Sequence, residues 1–397
     1  MSNHIITALD IGSSSVKVLA VGPKQQSSKL EVLSQVSIPS FGVRRGVVVD
    51  VEKASEIVSS ALEKVKTEIG QKIKSVFVNI DGSHIFSTFS HGTIAVSRAD
   101  QKISKEDVER VLQAAQTFSL PQNREILEVF PKEFVVDGEK GIRQAEGLEG
   151  VRLEAEILVV GCFSPYLKNL QNAVLEADYQ IADILCNPLP SARAVLSPKE
   201  KELGVLLLDI GAGTTSFAVF VEQSLLCLGV IPVGSGHVTN DIAIGLKTDV
   251  ETAENIKLKY GACFLKGAKK LKVKEQSTGE TLSFSKKALG KIIDSRVSEI
   301  FELIQKDLKK VSFPRLPGGV VLCGGGAKLP KIKEFAKKSF KLSCKIGKIS
   351  SFFPKIDDPQ MTTVCGLALY GAKDLEEETL SQGIVEKAKS IFKNFIP

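Results

Sequence analysis

The sequence predicts an α/β protein built from two related halves, on three observations. An Asp-Ile-Gly turn occurs twice, at Asp10-Ile11-Gly12 and Asp209-Ile210-Gly211, each time at the end of an apolar strand. Amphipathic helices alternate with short apolar strands through both halves. A length of 397 residues leaves room for more than one core, since ordinary domains run to about 100–200 residues.

Ile5 to Leu9 reads as a strand, Asp10 to Ser14 as a tight turn, and Ser15 to Val21 as the return strand. Ile57, Val58, Ala61, Leu62, Val65 and Ile69 keep helical spacing, and Ser75 to Ile80 is a strand stopped by Asp81-Gly82. A helix opens at Ser164-Pro165, where serine can cap and proline fits the first turn. The opening phrase then returns: Gly204 to Asp209 is a strand, Gly211 to Thr215 a turn and Ser216 to Val221 the return strand. Two such hairpins at equivalent places in two half-chains point to a duplicated domain. Leu289, Ile292, Ile293, Val297, Ile300, Ile304 and Leu308 mark a long helix, Val320 to Cys323 a short buried strand, and Lys331 to Phe340 another helix.

Two insertions interrupt the alternation. From about His84 to Gly161 come a strand, a helix capped by Ser104 with Asp107 three residues on, and two more strands. From about Ile242 to Arg315 come helices and a Lys-rich hairpin.

Composition narrows the functional classes. With 43% hydrophobic and 25% charged residues the chain has the balance of a soluble globular protein. A net charge of +6 is too weak to argue nucleic-acid binding, so any anionic partner must be argued locally. Cys162, Cys186, Cys227, Cys263, Cys323, Cys344 and Cys365 are scattered, form no C-x-x-C pair, and read as buried thiols of a reducing cytoplasm. No basic stretch followed by an apolar core opens the chain, and no apolar run of about 18 residues occurs, so neither secretion nor a membrane span is expected.

The two turns have a chemistry. A phosphate chain needs backbone N–H groups at close range, and glycine or small hydroxyl residues in a tight hairpin allow that approach. Gly12-Ser13-Ser14-Ser15 and Gly211-Ala212-Gly213-Thr214-Thr215 both qualify, and facing each other across a cleft they would grip a triphosphate, with Lys17 meeting its charge. Asp10 and Asp209, at strand ends, are placed to hold the water shell of Mg²⁺. After the strand Val320 to Cys323, Gly324-Gly325-Gly326-Ala327 offers a side-chain-free turn for a base or ribose. Taken singly, each loop also reads as an ordinary Gly-rich junction. No G-x-x-x-x-G-K-[ST] or complete G-x-G-x-x-G occurs.

These three loops together resemble the two phosphate loops and the adenosine loop of the superfamily of actins, sugar kinases and heat-shock chaperones. Within it the chain is similar, over nearly its whole length, to the FtsA family of bacterial cell-division proteins. The phrases that carry this are Ser40-Phe41-Gly42-Val43 with Gly46-Val47-Val48-Val49-Asp50, Gly147-Leu148-Glu149-Gly150-Val151-Arg152, Ala253-Glu254-Asn255-Ile256-Lys257 before Tyr260-Gly261, and Gly366-Leu367-Ala368. The resemblance implies an actin-like duplicated ATPase fold with four subdomains: 1-83 with 162-198 as 1A, 84-161 as 1C (an SHS2-like insertion used in protomer contacts), 199-241 with 316-373 as 2A, and 242-315 as 2B. It also implies that Glu254 and Lys257 line the adenosine pocket; by themselves they read as a solvated helix salt bridge. Likewise it implies that Arg296, otherwise a solvated helix arginine, meets the C-terminal peptide of the tubulin-like protein FtsZ.

After an acidic linker, 374-382, residues 383-397 form a candidate amphipathic helix. Ile384, Val385, Ala388, Ile391, Phe392, Phe395 and Ile396 fall in one arc of roughly 140°, flanked by Lys387 and Lys389, a pattern suited to an anionic membrane surface. The alternative is a last helix packed on the protein's own core. With the resemblance, the expectation is an ATP- and Mg²⁺-binding protein that polymerises peripherally on the cytoplasmic face of the inner membrane and tethers FtsZ at the division septum. ATP hydrolysis would be slow at most, and no residue that orients a water can be named. The rivals are a PilM-like platform protein of type IV pili, which generally lacks such a tail, and a small-molecule kinase, for which no catalytic aspartate motif is found.

Overall fold

The computed structural model describes residues 5–23, 30–117, 121–267, 269–310, 315–349 and 352–380, the last with side chains to residue 373. Its frame is two five-stranded sheets of the same design. In the first the spatial order is Gln180–Cys186, Ser75–Ile80, Ile6–Ile11, Ser15–Pro23 and Leu30–Pro39; in the second it is Cys344–Ile346, Gly319–Cys323, Val205–Ile210, Thr215–Val221 and Ser224–Ile231. Each has three consecutive antiparallel strands on one side and two parallel strands on the other. The duplication inferred from the repeated turn is therefore a duplication of whole sheets.

The central strands of both sheets are buried along their full length, as strands covered on both faces should be. Helices supply the cover. Val51–Ile69 starts on a side-chain cap from Asp50, ends at Gly70 in the left-handed conformation, and buries Val58, Ala61, Leu62 and Val65. At Ser164 the expectation changes in detail: Phe163 holds the cap position without a side-chain bond, and Ser164 is already the first residue of Ser164–Leu175.

The first insertion forms a four-stranded sheet, Phe86–Ala95, Arg152–Phe163, Arg124–Val136 and Glu139–Ile142, under the helix Lys105–Gln116. That helix opens with the expected Ser104–Asp107 capping box, and it lies so close to the sheet that a Cβ on Gly92 would meet the backbone of Val111 and Ala115. At the second insertion Ser235–Leu246 packs on both Val250–Tyr260 and Lys286–Leu308, beside the hairpin of Lys270–Lys274 with Thr281–Ser285.

The helix Thr362–Leu380 crosses back. It packs on the strands Ile6–Ile11, Ser15–Pro23 and Ser75–Ile80 of the first sheet and on Leu189–Val195. Residues 362–373, grouped above with 316–373, thus lie against the first half, and the same helix continues through most of the expected linker, 374–382, as far as Leu380. The candidate amphipathic segment 383–397 lies outside the described residues. Six of the seven cysteines are buried and Cys344 is half-buried, all as free thiols.

Candidate functional site

The two repeated turns face one cleft of about 1130 Å³. Each turn is closed by its own backbone: the Gly12 N–H donates to Ser15 O at 3.2 Å, and the Gly211 N–H to Thr214 O at 2.9 Å. Of the expected residues, the cleft brings together Asp10, Gly12, Ser13, Ser14 and Lys17 from the first half with Asp209, Gly211, Ala212, Gly213, Thr214, Glu254, Lys257, Gly324, Gly325 and Gly326 from the second. Ser15, Thr215 and Ala327 are not in its lining. Ser15 and Thr215 open the return strands and are buried, Thr215 donating to Val233 O at 2.8 Å, and Ala327 is buried in the second core.

The charged residues are more constrained than their spacing suggests. Lys17 Nζ donates to Asp10 Oδ2 at 2.8 Å in a buried pair, the two being cross-strand neighbours in the hairpin. Asp209 Oδ2 accepts from Ser191 Oγ at 2.6 Å and from Thr363 Oγ1 at 3.0 Å. Burial raises the Asp209 carboxyl above its ordinary range, against the pull of those two hydroxyls.

A third carboxylate is Asp81, which in sequence only marks the end of the strand Ser75–Ile80. It lines the same cleft and accepts from Thr214 Oγ1 at 2.6 Å, tying the first half to the second turn. Its other oxygen, Oδ1, is buried with no hydrogen-bond partner, as is Asn187 Oδ1 on the same wall. Burial pushes the Asp81 carboxyl up to about 6; Thr214 and the Gly82 N–H oppose this, while Asp209 and Asp10 add to it. Such orphaned buried acceptors require an explanation, and donors that arrive with a ligand supply one. Among the described residues no three His, Cys, Asp or Glu side chains are grouped to hold a metal directly.

Further along the cleft, Lys257 Nζ lies 2.7 Å from Glu254 Oε2 and donates to Thr239 Oγ1 at 2.8 Å, while the Thr239 hydroxyl donates to Glu254. The pair is a helix salt bridge and a cleft wall at once. Gly324, at φ 80°, leads into a short 3₁₀ turn, Gly325–Lys328. A Cβ on Gly326 would strike Ile210, whereas one on Gly325 would come no closer than 3.8 Å to the Gln360 side chain, so Gly325 borders open space. Arg296 lies outside the cleft lining and is no lone cation. Its Nε and Nη2 donate to Asp241 at 2.6 and 2.9 Å in a bidentate pair, and Nη1 reaches Glu299.

Against known families, the model described as "Cell division protein FtsA" matches residues 206–366, and the one described as "SHS2 domain inserted in FTSA" matches residues 82–161. The cell division protein FtsA of Pseudomonas aeruginosa is 36% identical over 377 residues, covering 93% of this chain and 90% of that protein. That of Bacillus subtilis is 34% identical, covering 94% and 84%. This chain belongs to the FtsA family of cell division proteins. Solved structures share its fold at lower identity. A chain of the PilM–PilN type IV pilus biogenesis complex superposes with a TM-score of 0.65 at 16% identity, covering 92% of this chain and 98% of its own. MreB 5 of Spiroplasma citri bound to AMPPNP gives 0.57 at 15%, covering 96% and 99%. The fold is the actin-like one, carrying the SHS2 insertion of the FtsA family. Among the described residues, no helix is long and apolar enough to cross a membrane.

Proposed function

We propose that this chain is a cell-division protein that binds ATP with Mg²⁺, self-associates on the cytoplasmic face of the cell membrane, and holds FtsZ there. The observation that supports the nucleotide reading best is the meeting, in one cleft, of two backbone-closed phosphate turns with three carboxylates, Asp10, Asp81 and Asp209, at their base. In this reading Gly12 to Ser14 and Gly211 to Thr214 hold the phosphates. Gly325 and the Glu254–Lys257 pair border the adenosine. Asp10, Asp81 and Asp209 would hold Mg²⁺ through its waters, the ion supplying charge to neutralise the phosphates; the unpartnered Asp81 Oδ1 fits that role.

The membrane and FtsZ roles rest on family membership and on residues 383–397. Three lysines there add about 1 kcal/mol each near an anionic surface, too little for stable attachment of one copy. Linked copies gain avidity, so assembly and membrane binding are coupled in this reading. The PilM-like alternative has likeness of fold alone in its favour.

The nucleotide reading is tested by calorimetric titration of the full chain with ATP, with and without Mg²⁺. Saturable binding strengthened by Mg²⁺ is expected, and no binding in either buffer rejects it. Cosedimentation of the same protein and FtsZ with anionic vesicles tests the tether.

A further inference from the structure

Two cations of the cleft play no part in the contacts described so far. Val43–Arg44 and Val47–Val48 form a small hairpin whose two-residue turn is Arg45-Gly46. Both turn residues lie in the left-handed region, at φ 50° and 77°, as a type I′ turn requires. Glycine and asparagine serve such a turn at little cost, and arginine does not. Positive φ alone does not single out Arg45, since Glu222 and Gln223 share it in another hairpin turn; its position in the cleft and its lack of a charge partner among the described residues do.

The tip is pinned over the phosphate turns. The Gly46 N–H donates to Ser13 Oγ at 2.8 Å. A Cβ on Gly213 would lie 3.0 Å from Arg45 Cα, and one on Gly46 would lie 3.0 Å from Asp81 Oδ2. The hairpin therefore touches the first turn, the second turn and Asp81 together.

Charge pairing singles it out. Of the lysines and arginines that line the cleft, Lys17 is paired with Asp10, Lys257 with Glu254 and Lys328 with Asp358, all within 2.8 Å. Arg44 and Arg45 line the same cleft, are exposed, and make no side-chain hydrogen bond or ion pair among the described residues. A guanidinium fork matches phosphate oxygens, and it is the unpaired one that has charge to offer.

We propose that Arg44 and Arg45 form a cationic strap for the terminal phosphate of a nucleoside triphosphate, so that this hairpin sets the preference for triphosphate over diphosphate. This deepens the nucleotide reading above and rests on it. Lys17, already neutralised by Asp10, contributes to both ligands alike.

The test is titration of the full chain with ATP, ADP and AMP in Mg²⁺ buffer, comparing the wild type with Arg44→Gln/Arg45→Asn. Asparagine tolerates the left-handed turn, so the hairpin is kept while both charges are removed. The expected result is a loss of about tenfold or more in ATP affinity, the scale of one charge-assisted arginine contact, with a smaller loss for ADP and none for AMP. An unchanged ATP-to-ADP ratio overturns the strap while leaving the nucleotide reading intact; a wild type that binds none of the three overturns both. Should the double variant melt early, Arg44→Gln alone leaves the turn residues untouched. A narrowed ratio there supports the strap, and an unchanged one rejects it.

Discussion

The hydroxyl of Thr214, in the second phosphate turn, donates to the carboxylate of Asp81, at the end of a strand of the first sheet, at 2.6 Å. This bond joins the two halves of the molecule at the floor of the cleft. It leaves one Asp81 oxygen, Oδ1, buried and unpartnered.

Asp81 should make the nucleotide-free protein less stable as the solution becomes more alkaline. Its carboxyl titrates at about 6 when folded and at about 4 when unfolded. Between those values the folded state holds a proton that the unfolded state has released. The stabilisation is full below about pH 4 and is lost as pH rises through about 6. Asp81→Asn removes the loss, so at about pH 7.5 the variant should gain up to roughly 3 kcal/mol, at ~1.4 kcal/mol per pKa unit. Urea denaturation across this pH range checks it, and parallel curves for both proteins would count against the effect.

Thr214→Val should act in the opposite sense. Removing the donor takes the hydroxyl partner from the buried Asp81 Oδ2, a cost of about 1–3 kcal/mol. The loss should shrink toward acid pH, where the carboxyl is protonated. Melting curves at two pH values measure both parts.

Gly325→Val and Gly326→Val, one residue apart, should fail in different ways. The space beside Gly325 is open, so its variant should fold normally and lose affinity for ATP with or without Mg²⁺. A side chain at Gly326 would run into Ile210, and overpacking of that kind costs about 1–3 kcal/mol. Thermal melting and nucleotide titration on each variant separate the two, and tight ATP binding by the folded Gly325→Val protein would remove that loop from the adenosine site.

Arg296 is held by Asp241 and Glu299, so an acidic peptide docking there must compete with them. Asp241→Asn frees part of the guanidinium and should strengthen binding of a synthetic FtsZ C-terminal peptide, read by fluorescence anisotropy. Arg296→Glu should abolish it, but also places three acidic groups together and should loosen the packing of Ser235–Leu246 on Lys286–Leu308. Peptide binding indifferent to both changes would move the contact elsewhere.

Phe392→Glu with Phe395→Glu tests the membrane reading of 383–397. Each phenylalanine is worth roughly 1.5–3 kcal/mol when buried, as much as the lysines supply at an anionic surface. Pelleting with anionic vesicles should be lost even with ATP present. A lower melting temperature with pelleting unchanged would instead place this segment on the protein's own core.

The repeated turns were legible because their chemistry is local: an apolar strand, an aspartate and small residues within a dozen positions. The alternation of helix and strand gave the α/β class for the same reason. Asp81 was not legible as a site residue, because its significance comes from Thr214, far away in the chain and brought near only by the facing of two sheets. Ser191 and Thr363, which bond Asp209, were hidden in the same way. Arg44 and Arg45 sat between two recognisable phrases; the available signal was a pair of arginines beside a glycine at a hairpin tip, a place that favours asparagine and glycine. Ser15, Thr215 and Ala327 lie outside the cleft lining, and adjacency to a glycine turn does not say whether a residue faces the cleft or the core.

The return of Thr362–Leu380 to the first sheet has a consequence for biosynthesis. Val364, Cys365, Leu367 and Ala368 belong to the same core as Ile6, Leu9 and Val78, and Gly366 and Gly371 let the helix approach Pro190 and Phe77 closely. The core of the first half therefore cannot be completed until the chain has been made through Ala372. Until then the face of the first sheet that this helix covers stays open to water, so the nascent first half should be prone to aggregate. A fragment ending near residue 198 should be insoluble alone and rescued by co-expressing the remainder of the chain.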